Sequence, residues 1–124
     1  TDFGWEVYPS GLYDLLMKLK KEYGVGKIFI TENGCSYSDG PNEENKINDQ
    51  RRIDYHHTHL IEIQKAINDG VECKGYFAWS LMDNFEWAQG FSQRFGLVWV
   101  DFESLDRIPK ESYHWYKNYI SNNK

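Results

Sequence analysis

Two strand-like runs bracket a helix-like one, and that order restricts the fold more than any other feature of the chain. Ile28, Phe29 and Ile30 head a strand over 28–31, and "CKGYFAWSLM" at 73–82 reads as a second. Between them, "DQRRIDYHHTHLIEIQKAINDG" puts Ile53, His57, Leu60 and Ile67 on one helical stripe. Asp49 can cap its start and Gly70 its end. Strand, crossover helix and strand imply parallel pairing through a right-handed connection. The second run is apolar almost throughout, as a parallel strand buried on both faces would be. Two parallel strands leave both outer edges open for further pairing. The expectation is a piece of a larger α/β fold, or a chain that pairs with another.

The flanking segments add three elements. "SGLYDLLMKLKKEY" at 10–23 carries Leu12, Leu15, Leu16 and Leu19 at helical spacing, with Ser10 as N-cap and Gly24 as terminator. Residues 35–48 read as a long surface loop, with 42–46 a solvated run. After a polar, aromatic loop reaching Arg94, "GLVWVDF" alternates like a short hairpin strand. Pro109 fits the first turn of a last helix through "KESYHWYKNYI".

Composition mainly excludes. A net charge of -5 over 124 residues argues against a nucleic-acid partner. No apolar run is long enough for a membrane helix. Cys35 and Cys73 lack metal-ligand spacing and read as reduced thiols, which favours the cytoplasm. No metal or other cofactor is expected. The chain begins at Thr1, so the absence of a signal peptide carries little weight. Aromatics make up 17% of the residues, a density that suits a core, an interface or a sugar-stacking site.

The chemistry gathers at the strand ends. The first strand runs into Thr31, Glu32, Asn33 and Gly34, and a carboxylate beside a core costs several kcal/mol unless paired or hydrogen-bonded. The second run holds Trp79 and Ser80, and the loop behind it adds Asp83, Asn84, Glu86, Trp87 and Phe95. Ligands collect at the carboxyl ends of parallel strands, so Glu32 and Trp79 should share one mouth. An indole face packs against sugar C–H bonds, and carboxylates accept from sugar hydroxyls. A pyranose fits that set. Phe77, Phe85 and Trp99 read as core residues instead, and Cys35 as a small packing residue. His56, His57 and His59 read as solvated or packing side chains, because third and fourth metal ligands are not evident. Asn33-Gly34 reads as a sharp exit turn from the strand.

"ITENG" at 30–34, "DQRRIDY" at 49–55, "DGVECKGYFAWSLMDNFEW" at 69–87 and "RFGLVWVDF" at 94–102 together resemble glycoside hydrolase family 1, and within it the bacterial β-glucosidases. The resemblance covers essentially the whole chain and corresponds to the final quarter of such an enzyme. It implies an α/β fold: the C-terminal part of a (β/α)8 TIM barrel, with its last two strands, their helices and a short hairpin. Residues 1–124 would then be one segment of a single barrel domain rather than a complete domain. It implies retaining hydrolysis of β-glucosides such as cello-oligosaccharides, with Glu32 as nucleophile and Trp79 as platform under the sugar. Glu86 would hold the hydroxyls at O4 and O6, Trp87 would contact O3, and Phe95 would line the pocket. A cis peptide at Trp79–Ser80 is also implied.

Glu86 stands where relatives acting on 6-phosphorylated sugars need cations, so unphosphorylated glucosides are expected before galactosides. Retaining hydrolysis needs a second carboxyl group about 5 Å away as acid and base. The family carries it in an Asn-Glu-Pro motif, which is absent here. No feature puts Asp83 or Glu86 on the leaving-group side. The isolated chain is expected to be inactive without the N-terminal part of the barrel. Two other readings stand beside this one: a non-catalytic sugar-binding module using Trp79, Glu86 and Trp87, and a fragment that self-associates through its open strand edges.

Overall fold

The strand–helix–strand order is observed in a computed structural model, which describes residues 1–123. Helix α1 spans Pro9–Tyr23, strand β1 Ile28–Asn33, helix α2 Gln50–Asn68 and strand β2 Cys73–Ala78. Strands β3, Val98–Val100, and β4, Arg107–Pro109, precede helix α3, Glu111–Asn122. β1 and β2 pair in parallel, whereas β3 and β4 form a separate antiparallel hairpin with Trp99 opposite Ile108.

The core lies on one face of the parallel pair. Leu16 and Met17 of α1 pack with Leu60, Ile63 and Ala66 of α2 and with Val71. Ile28, Ile30, Tyr76, Trp115 and Tyr119 close around that cluster. Each large apolar side chain so buried contributes about 1.5–3 kcal/mol. Alternate residues point the other way, and there Phe29 and Phe77 remain 55% and 57% exposed. Phe77 and Phe85 are therefore not core residues in this chain, and Trp99 is only half-buried beneath the Arg94 guanidinium. β2 is covered on one face rather than both.

Several boundaries differ from expectation, each for a local reason. β1 continues through Glu32 to Asn33, because the Asn33 carbonyl still accepts from the Trp79 N–H at 2.8 Å. β2 stops at Ala78, just before the cis peptide at Trp79–Ser80, and Met82 instead bridges to Val98. Pro109 belongs to β4, so α3 starts at Glu111. In α1 the helix begins at Pro9, which leaves Ser10 inside the first turn with no capping bond.

The buried stripe of α2 is Arg52, His56, His59, Leu60, Ile63 and Ala66, rotated from the expected one, while His57 and Ile67 lie outside. Polar side chains with buried partners outweigh the apolar period here. The segment behind β1 is also no simple surface loop. Cys35, Ser36, Tyr37 and Ile47 are buried, and only the run 40–46 is solvent-exposed throughout.

Pairing within the sheet is irregular at the point that matters most. From Ile30 to Asn33 β1 advances three residues, while its partner advances two, from Tyr76 to Ala78. Strict alternation from Ile28 and Ile30 would turn Glu32 toward the helices. The extra residue resets that parity, as bulges do, leaving Glu32 exposed and Asn33 half-buried.

Candidate active site

Glu32, Trp79, Glu86, Trp87 and Phe95 all line one open cavity of about 500 Å³, together with Trp5, Asn33, Gly34 and Tyr55. It lies at the carboxyl ends of β1 and β2. The structure thus brings every sequence-predicted site residue to one cavity, with Glu32 exposed rather than packed into the hydrophobic interior. Trp87 stands 83% exposed at the rim, whereas Phe95 is buried at the wall. Two carboxylates face this space, and none of its lining residues is Lys or Arg.

Gly34 holds the two strand ends together. A Cβ there would sit 1.8 Å from the Trp79 carbonyl oxygen, with no left-handed φ involved. Asn33-Gly34 is thus a close-approach site rather than a turn-conformation site. Gly34→Ala must push Trp79 away from β1. The expected cost is about 1–3 kcal/mol or more, read from the urea unfolding midpoint, and an unchanged midpoint would contradict it.

Behind the cavity, the fully buried Arg52 knits three loops. Its guanidinium donates to the carbonyls of Cys35, of Tyr37 at 2.8 Å, of Arg94 at 3.0 Å and of Phe95 at 3.3 Å. Its Nε pairs with Asp49 at 2.9 Å, and the Asp49 carboxylate also accepts from the Ser112 N–H and hydroxyl at 2.9 and 2.6 Å. Asp49 therefore caps the start of α3 rather than its own helix, placing negative charge where a helix N-terminus favours it. Cys35, buried in this floor, has its thiol pushed up to about 12 by desolvation and stays protonated.

Asp83 forms the second anchor. Its buried carboxylate accepts from Arg94 at 2.7 Å, Lys110 at 3.2 Å and the Gly96 N–H at 2.8 Å. Those bonds fix the segment carrying Phe95, and they leave Asp83 outside the cavity lining. Asn84 is turned to Ser80 and the Met82 carbonyl. Burial, then the nearby Arg52 charge, pulls Lys110 down to about 8 against the attraction of Asp83.

His56 and His59 are packing residues. His59 Nδ1 lies 2.7 Å from the Tyr55 carbonyl, and His56 Nδ1 lies 2.8 Å from the Tyr76 hydroxyl. Burial, followed by the charges of Arg52 and His59, lowers His56 to about 3. An unfolded chain would protonate this ring near pH 6.5, so between pH 6.5 and 3 it binds a proton that the fold refuses. Stability from His56 is complete above pH 6.5 and is lost as pH falls toward 3. The loss is on the order of 5 kcal/mol across that window. Urea unfolding at pH 7, 6 and 5 should show it, and His56→Gln should flatten that part of the slope. Equal slopes in both proteins would refute the assignment.

Sequence reading missed Trp5, Tyr55 and Arg52. Trp5 reaches the cavity only through an aromatic cluster with Phe3 and Phe95, at centroid distances of 4.5 and 5.7 Å. Tyr55 and Arg52 lie three residues apart on α2, and a polar pair at helical spacing beside a strand end was the one available signal.

A strand-end carboxylate and indole side chains thus line one sugar-sized cavity, and comparison with known proteins supplies the family. The family model for glycosyl hydrolase family 1 matches residues 1–124, and the chain belongs to that family. It is 50% identical over 123 residues to the Thermotoga maritima protein "Beta-glucosidase A", covering 99% of this chain and 28% of that protein. The protein of the same name from Acetivibrio thermocellus matches equally, at 50% over 123 residues. A Staphylococcus haemolyticus "6-phospho-beta-galactosidase" is 52% identical over 119 residues, covering 94% of this chain and 25% of that protein. Among solved structures, the Thermotoga maritima family 1 β-glucosidase in complex with isofagomine lactam superposes with a TM-score of 0.98 at 50% identity, over 99% of this chain and 28% of that one. The chain thus spans about a quarter of the length of these relatives. Among the described residues, no helix is long and apolar enough to cross a membrane.

Proposed function

We propose that this chain is the C-terminal segment of a (β/α)8 barrel and supplies the nucleophile and part of the sugar site of a retaining β-glucosidase. The observation that carries the reading is the convergence of Glu32 with Trp79, Glu86, Trp87 and Phe95 on one cavity at the strand ends. A Glu32 carboxylate oxygen attacks C1 of the sugar as the glycosidic oxygen leaves with a proton from a general acid. Water then opens the glycosyl ester, restoring the starting configuration after two inversions. Trp79 packs under the ring, Glu86 accepts from the hydroxyls at O4 and O6, Trp87 contacts O3, and Phe95 closes the wall.

The general acid lies outside this chain. Asp83 is spent in ion pairs, and Glu86 belongs to the glycone end in this reading. The complementary N-terminal portion of a family 1 barrel is therefore the required partner. Sequence identity alone does not separate glucosides from 6-phosphorylated galactosides, since relatives bearing both names match equally well. Cavity charge favours the former: Glu32 and Glu86, with no cation among the lining residues of this chain, would repel a phosphate dianion. An unphosphorylated glucoside is the expected substrate.

A second reading has its own support. Exposed Phe29 and Phe77 and two open strand edges favour association, whether with the missing barrel portion or with another copy. One experiment addresses both. The 124-residue chain is assayed with an aryl β-glucoside, alone and after mixing with the N-terminal portion. Activity only in the mixture, with a glycosyl ester found on Glu32 by peptide mass, is expected. Turnover by the chain alone, or an ester elsewhere, would overturn the proposal.

A further inference from the structure

Directly behind the cavity, four polar side chains on the helix side of the sheet form a continuous run of hydrogen bonds. His56 Nδ1 lies 2.8 Å from the Tyr76 hydroxyl, the Tyr76 hydroxyl 2.8 Å from Asn33 Oδ1, and Asn33 Nδ2 3.2 Å from the Tyr55 hydroxyl. Proton counting gives the run a direction. A phenol has one proton, and Tyr76 gives it to Asn33 Oδ1, which can only accept. His56 must then donate its Nδ1–H to the Tyr76 oxygen, leaving Nε2 as a bare acceptor. That atom is buried and has no partner among the described residues.

Turning the Asn33 amide over would reverse every bond. Tyr55 would then donate inward, and the His56 proton would move to Nε2, leaving an orphaned buried N–H. Such donors are rarer in folded proteins than orphaned acceptors, so the first direction holds.

We propose that this relay is the positioning device of the reaction carried by Glu32. Asn33 is the residue after Glu32 and the last of β1, and its side chain is gripped at both ends on the helix side. Because of the bulge, that grip turns the preceding side chain to the cavity side. Asn33, Tyr76 and His56 thus hold the carboxylate's direction without touching substrate. Tyr55 is different. It accepts from Asn33 and lines the cavity, so its own O–H is the one relay proton not consumed inside the protein. The cavity therefore receives a neutral donor beside Glu32, polarised by three hydrogen bonds running in the same sense. Burial holds His56 neutral and raises the Tyr55 phenol to about 12, so the relay keeps its protons through the working pH range of a hydrolase.

The proposal rests on Glu32 being the nucleophile, and its test separates the two ideas. In the enzyme completed by the N-terminal portion, with only this chain ¹⁵N-labelled, NMR of the His56 ring should show a protonated Nδ1 and an unprotonated Nε2. The opposite tautomer, or no dispersed ring signal at all, would overturn the relay. In the enzyme completed by the N-terminal portion, Tyr55→Phe and Tyr76→Phe should each lower kcat about tenfold with KM within about twofold, the signature of an interaction realised in the transition state. Unchanged kcat in Tyr76→Phe would remove the positioning role, and unchanged kcat in Tyr55→Phe the donor role; either result, with the glycosyl ester still on Glu32, would leave the nucleophile intact. Absence of the ester, with the tautomer as stated, would instead remove the nucleophile.

Discussion

Glu32→Gln in the reassembled enzyme should lower kcat on the order of 10⁴-fold or more, because the amide cannot form the ester on which the two-step route depends. The fold should survive. Glu32 is exposed and its side chain makes no hydrogen bond among the described residues, so the nearly isosteric Gln should be tolerated there. Thermal midpoint and assembly with the N-terminal portion should therefore match the parent. Shortening the side chain to Ala gives a sharper check. An added small anion such as azide can then occupy the vacated space and attack C1 once. A single displacement inverts, so the product should be the α-glycosyl azide. Glu32→Gln retaining more than a tenth of the parent kcat would sink the assignment.

Arg52→Ala should be the most destabilising single change in this chain. It leaves the Asp49 carboxylate buried with no cation, a situation that costs about 3–5 kcal/mol. It also strips donors from the carbonyls of Cys35, Tyr37, Arg94 and Phe95, each an unsatisfied group worth about 1–3 kcal/mol unless water reaches it. Those sums rival the total stability of an ordinary domain, about 5–15 kcal/mol. Loss of cooperative urea unfolding is the expected outcome. Arg52→Lys should not rescue it, because one ammonium cannot reach five acceptors held in a planar fork. Full folding of the Lys variant would show that charge alone, rather than geometry, holds the floor of the cavity.

The family, the strand–helix–strand order and the candidates Glu32, Trp79, Glu86, Trp87 and Phe95, which prove to share one cavity, were legible in the residues themselves. Periodicity placed α1, α2 and β3 because their apolar spacing and terminating residues agree locally. It misjudged the buried face of α2, since Arg52, His56 and His59 score as polar and are buried by partners far along the chain. It likewise read residues 35–48 as solvated, although 35–37 lie beneath the Arg52 guanidinium. Trp5 carries no local signature and Tyr55 only its spacing from Arg52, because their place at the cavity depends on where α2 and the N-terminal segment dock.

From its sequence alone, the chain determined which side chains could do chemistry and that two strands would run in parallel, since helical and strand periods are local and short motifs keep their spacing. Only the tertiary structure decided which way those side chains face. The bulge between Ile30 and Asn33, the contact that only Gly34 permits, and the sense of the bonds from His56 to Tyr55 all arise where distant segments meet. Close packing and hydrogen-bond satisfaction are collective conditions, and no single stretch of residues contains them.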